Sequence, residues 1–164
     1  MSIAASLIAE FDHESASTRK ILACVPEEQF GYKPHEKSMS LVRLASHIAE
    51  MGTWAVVTMT TTDYAPPADF KPFVAASKAE LLEKFDEHTA AARKVLADAS
   101  DEDYLAQWTM TWSGYKVFDA PRITAIRSFI MNHTIHHRGQ LTVYLRLLDI
   151  PFPGVYGPSA TDKS

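Results

Sequence analysis

Apolar side chains recur at helical spacing along four stretches of the chain. In the first, Ile3, Leu7, Phe11, Ile21 and Val25 fall on one face. In the second, Leu41, Leu44, Ala45, Ile48, Met51, Ala55 and Met59 form a stripe, with Ser38 or Ser40 placed to cap its start. The third opens on Ser77-Lys78-Ala79-Glu80, a capping-box pattern, and continues through Leu81, Phe85, Ala92, Val95 and Leu96. The fourth runs from about Pro121, a residue suited to a first helical turn, through Ile126, Ile130, Leu141, Tyr144, Leu145 and Leu148. Prolines punctuate these stretches, leaving 1–25, 35–65, 73–120 and 122–150 free of them. Between the last two stripes, QWTMTWSGYKVF alternates around Ser113-Gly114, which predicts a short hairpin or an ordered loop around 106–118. The pattern predicts an all-α fold, a four-helix bundle with long inter-helix connections, in a single domain over 1–164.

Composition narrows the class without naming a chemistry. With 164 residues, 46% hydrophobic and 22% charged, the chain can bury a core and is not of a disordered type. Its single cysteine, Cys24, cannot form an internal disulfide and is expected to be a small core residue near a helix end. No apolar run approaches a bilayer span, and the first residues carry acids rather than a basic signal region, so a cytoplasmic location is expected. A net charge of −4, with no basic run longer than two, argues against nucleic acid or a membrane surface as partner. A small-molecule substrate is the expectation that remains.

The informative residues are histidines on the inner stripes. His133 and His137 stand four apart, just over one turn, so both rings leave the helix on one face. They continue the row Ile126, Ile130, Leu141, Tyr144 that faces the core. His47 lies in the second stripe between Leu44 and Met51, with Trp54 continuing the row. Three imidazoles from two helices, meeting at one level, would make an open metal site of catalytic type. The other reading is core-edge histidines whose ring nitrogens are satisfied by hydrogen bonds. The spacing resembles HExxH zinc helices, but Thr134 stands where their glutamate would be, so that base is missing. Glu50, Asn132 and Gln140 are candidates to hold the imidazole rings, and Trp54, Tyr144, Trp108 and Trp112 to line an entrance. Glu14 is either a general base or, more in keeping with its stripe-edge place, the partner of an Arg or Lys. His88 reads as a core-edge or dimer-face residue, His136 as pointing aside, and His13 and His35 as surface residues. Gly139 in mid-helix suggests close helix packing or room for a ligand.

These segments together resemble the DinB/YfiT-like family of metalloenzymes. The resemblance is carried by FGYKPHEKSMS leading into SLVRLASHIAEM, and above all by NHTIHHRGQLTVYLRLLDIPFPGVYGPSA. It implies that His47, His133 and His137 form a metal triad holding one divalent ion, Zn or Ni, with water completing the coordination. It also implies a homodimer, and either S-transfer with a low-molecular-weight thiol or metal-dependent hydrolysis. Because many relatives have no demonstrated activity, a non-catalytic metal- or ligand-binding stress protein is the alternative.

Overall fold

A computed structural model describes residues 2–162. Helix α1 (Ile3–Leu22) starts at Ser2, whose hydroxyl accepts from the Ala5 N–H. After a short 3-10 turn at Glu27–Gln29, α2 (Leu41–Thr60) is capped by Ser40, and Ser38 is left outside it. Helix α3 (Lys78–Asp98) is capped by Ser77, whose hydroxyl accepts from the Glu80 N–H. The Glu80 carboxylate accepts from Ala76 rather than from Ser77, so the expected capping box is displaced by one residue. A five-residue helix α4 (Asp101–Leu105) follows, closed by a reciprocal Ser100–Asp103 box. The last helical segment comprises α5 (Arg122–Thr124), a π-helical turn over Ala125–Met131, and α6 (Asn132–Leu147).

The long segments pack in pairs: α2 on α3 and α6, and α1 on α3 and α6. The all-α expectation is nevertheless corrected, because the chain is mostly helical and also carries a three-stranded sheet in the order β1-β2-β3. Strands β2 (Gln107–Trp112) and β3 (Tyr115–Pro121) form the hairpin that alternation predicted. Ser113 and Gly114 both have positive φ (49° and 82°), as a two-residue hairpin turn with the sheet's twist requires. The two-residue strand β1 (Asp63–Tyr64) adds parallel to β2. Pro121 ends β3 instead of opening a helix, which starts one residue later.

Two apolar clusters fill the helical layer. One gathers Ile21, Leu22, Leu44, Ile48, Leu81, Leu141 and Leu145; the other gathers Leu7, Phe11, Ala55, Leu96, Tyr104, Ile126 and Ile130. Each fully buried Leu or Ile contributes about 1.5–3 kcal/mol by leaving water. In the last helical segment Ile130 and Met131 of the second cluster and Leu141 and Tyr144 of the first flank His133 and His137, and on α2 His47 lies among Ala45, Ile48 and Ala49 of the first. Among the described residues, no helix is long and apolar enough to cross a membrane.

Candidate metal centre

Helices α2 and α6 bring His47, His133 and His137 to one point, with one nitrogen from each inside a span of 4.8 Å. His137 is buried and the other two are half-buried. The ring centroids of His47 lie 5.1 Å from His133 and 4.8 Å from His137. His133 and His137 are themselves 4.5 Å apart, as one helical turn dictates.

The outward nitrogens decide the protonation pattern. The Nδ1 of His47 is 2.9 Å from Glu50 Oε1, that of His133 is 3.2 Å from the Phe129 carbonyl, and that of His137 is 2.7 Å from Gln140 Oε1. All three partners only accept, so each Nδ1 must carry the ring's proton and donate it. In the neutral rings every Nε2 is then a bare lone pair. These lone pairs face one another, His133 to His137 at 2.7 Å and His47 to His133 at 3.5 Å. Facing acceptors repel unless a cation lies between them. A proton is a poor candidate, because burial lowers the pKa of His133 and, with the neighbouring histidines, brings His137 down to about 4. The donor set is three neutral imidazoles converging on one point, which fits a divalent transition-metal ion.

Glu50 anchors this arrangement. Burial opposes its charge, but hydrogen bonds from His47 and the Phe73 N–H, and the charge and hydrogen bond of Arg43, hold its carboxyl below the usual range. Arg43 Nη2 donates to Oε1 at 3.0 Å and the Phe73 N–H to Oε2 at 3.0 Å. Arg43 and Glu50 are seven residues apart, two turns on one helix face, so this pair was readable from spacing although the sequence reading passed over it. The Phe129 carbonyl had no sequence signal. It lies in the π-helical turn directly before His133, a backbone irregularity that recurs at functional sites.

Above His47 and His133 opens a cavity of about 510 Å³, bounded by α2, the loop before α3, the β2–β3 hairpin and the π-helical turn. Its walls are mostly apolar and include Trp54, Phe70, Trp112 and Phe129. Trp54 and Gln140 therefore stand where the sequence placed them, at the cavity and on a ligand ring. Glu50 likewise holds the His47 ring and Trp112 reaches the cavity, whereas Asn132, Tyr144, Glu14 and Trp108 take other places. Asn132 is exposed, one position off the inner stripe. The Tyr144 hydroxyl donates to the Met39 carbonyl, and its ring packs edge-on to Tyr32. Glu14 is not free as a base: Arg138 holds its Oε2 at 2.7 Å. Of the two loop tryptophans, Trp108 is fully buried and donates to Thr61, and only Trp112 reaches the cavity.

His88 is half-buried with Nδ1 at the Ala49 carbonyl, 2.9 Å away, and takes no part in the triad. His136 is exposed beside His137, and His13 and His35 are exposed as expected. Cys24 is half-buried near the end of α1, where burial raises the thiol pKa and its Sγ–H donates to the Lys20 carbonyl. The charge of Lys78 offsets this only in part, so the thiol is not activated.

The profile described as the DinB family matches residues 1–164. An uncharacterized protein, YrdA, of Bacillus subtilis (strain 168) is 25% identical over 150 residues, covering 91% of this chain and 85% of that protein. A solved DinB-like protein from Bacillus cereus ATCC 10987 superposes with a TM-score of 0.69 at 23% identity, over 88% of this chain and 92% of that one. A DinB-like protein from Bacillus subtilis, YjoA, gives 0.69 at 20% identity, over 90% and 96%. At these identities the two structures speak for a shared fold.

Proposed function

The chain belongs to the DinB family, and from that premise we propose that it binds one divalent metal ion, Zn or Ni, through His47, His133 and His137 and acts there on a small molecule. The observation that carries this reading is the convergence of three Nε2 lone pairs whose rings are fixed by Glu50, Phe129 and Gln140. A divalent ion in that place supplies Lewis acidity, lowering the pKa of a coordinating thiol or water.

The chain's own groups favour thiol S-transfer over hydrolysis. Glu50 is the one carboxylate on the cavity wall, and Arg43, His47 and Phe73 engage both of its oxygens, so it orients a ring rather than relaying protons. No other acid lines that wall among the described residues. A coordinating thiol releases its proton to solvent as it binds, whereas hydrolysis also has to protonate a leaving group, for which no acid is free on this wall.

Elemental analysis of the chain purified without added metal, then titrated with Zn²⁺ and Ni²⁺, tests the site. About one ion per chain is expected, falling well below half in His47→Ala, His133→Ala and His137→Ala. Full metal content in all three variants overturns the reading. A thiol-dependent loss of an electrophile that needs both metal and triad would support S-transfer, and metal-dependent ester cleavage without thiol would replace it with hydrolysis.

A further inference from the structure

We propose that the cavity over the three imidazoles selects a small molecule made of a flat aromatic ring joined to a short anionic, metal-binding group. The anionic end rests on the metal reading above, whereas the ring end rests on the cavity alone.

The volume, about 510 Å³, is that of a small-molecule site rather than a water pocket or a macromolecular groove. Its walls form a connected aromatic chain. Phe129 meets Trp54 at 5.9 Å and 84°, Trp54 meets Phe70 at 6.1 Å, and Phe70 meets Trp112 at 5.8 Å and 80°. Rings set edge to face offer an inserted ring the same alternation of positive edges and negative faces that stabilises them. A purely aliphatic guest gains area but not that electrostatic fit. Trp112 is 41% exposed at the hairpin tip, a large apolar surface left open beside the mouth.

The floor selects charge. Glu50 is engaged on both oxygens, so it does not repel an anion as a free carboxylate would. Arg43 has five N–H donors, of which one goes to Glu50 and one, at 3.4 Å, to the Phe73 carbonyl. The remaining donors belong to a half-buried guanidinium on the cavity wall. Arg43 offsets the charge of Glu50 beside it, so the positive charge of this floor is that of the bound metal. A sugar or other polyhydroxyl compound would find almost no polar partners on these walls.

Two sets of probes separate the ring from the metal. In the metal-free chain, 1-naphthoate is titrated while the three indole N–H resonances are followed by ¹⁵N NMR. Those of Trp54 and Trp112 should shift and saturate, and that of Trp108, buried and bonded to Thr61, should stay. In the Zn-loaded chain, benzohydroxamate should bind about tenfold or more tighter than acetohydroxamate and cyclohexanecarbohydroxamate. Trp112→Ala should remove most of that gain, while metal content, set by the three imidazoles, should stay at about one ion per chain. Equal affinity for the three hydroxamates, or no effect of Trp112→Ala, overturns the proposal even if metal binds. If no metal is retained and naphthoate still shifts Trp54 and Trp112, the aromatic cavity stands and the metal reading falls.

Discussion

Glu50 shows how one side chain sets the geometry of a whole centre. Its Oε1 receives both Arg43 and His47, and its Oε2 receives the Phe73 N–H from the loop before α3. Glu50→Gln keeps the shape but removes the charge that fixes the His47 tautomer. Metal affinity should fall about 10–100-fold, the usual cost of losing an outer partner of a ligand histidine. Isothermal titration with Zn²⁺ measures this, with the far-UV circular dichroism spectrum unchanged. Tyr104 is a contrasting case, a single group that links stability to pH. Fully buried, with its hydroxyl donating to the Leu96 carbonyl at 2.6 Å, its pKa is raised by burial from the usual 10 to about 12. The neutral phenol is the folded form's preference, so its contribution is complete below pH 10. It is lost as pH rises from 10 to about 12, up to about 3 kcal/mol. Urea midpoints across that range should drop steeply, and Tyr104→Phe should flatten the drop while costing about 1 kcal/mol at neutral pH.

At the scale of elements, two glycines separate what spacing reveals from what packing decides. A Cβ on Gly52 in α2 would stand 2.5 Å from the His88 carbonyl oxygen of α3, a backbone atom that cannot turn away. Gly52→Ala should therefore destabilise the chain by about 1–3 kcal/mol despite alanine's better helix propensity. A Cβ on Gly139 would meet nothing within 4 Å, so the close helix packing expected there is absent. Gly139→Ala should stabilise by up to about 1 kcal/mol, and the two urea midpoints should move in opposite directions. The four stripes were legible because a helix repeats its buried face every 3.6 residues, and Ser40 and Ser77 cap where the pattern begins. The inward histidines were legible for the same reason. Elements of two and five residues, β1 and α4, are too short to show a period. Of the two loop tryptophans, Trp108 was misplaced because alternation gives a face and not a depth. Trp108, Met110 and Trp112 alternate onto one face of β2, but Trp108 is fully buried while Trp112 stands at the hairpin tip. Met110 and Trp112 line the cavity, joined by Val117, which a β-bulge leaves unopposed on β3.

At the scale of the molecule, α1, α6 and the C-terminal segment meet at one charge, Arg138, which is the basic partner that the stripe-edge place of Glu14 called for. Arg138, 2% exposed, sits next in sequence to His137 but turns its guanidinium the other way. Nη1 forms an ion pair with the Glu14 carboxylate at 2.7 Å and donates to the Glu14 carbonyl and to Thr18; Nη2 donates to the Tyr156 hydroxyl, which in turn donates to Glu14. The two residues are 124 positions apart, so the pairing was legible and the identity of the partner was not. The pair ties α1 to the helix that bears two of the three imidazoles. Arg138→Met should cost about 3–5 kcal/mol, because Glu14 is left charged and nearly buried. Adding Glu14→Gln should return a good part of that loss, since the penalty lies in the stranded charge rather than in the missing bond. If the double variant is as unstable as Arg138→Met alone, the guanidinium acts through its packing against Tyr156 and Thr18. In that case Tyr156→Phe, which keeps the ring beneath the cation at 5.2 Å and removes only the hydroxyl, should be nearly neutral. If the charge dominates, Tyr156→Phe should cost up to about 1 kcal/mol, because Glu14 then loses a hydrogen-bond donor.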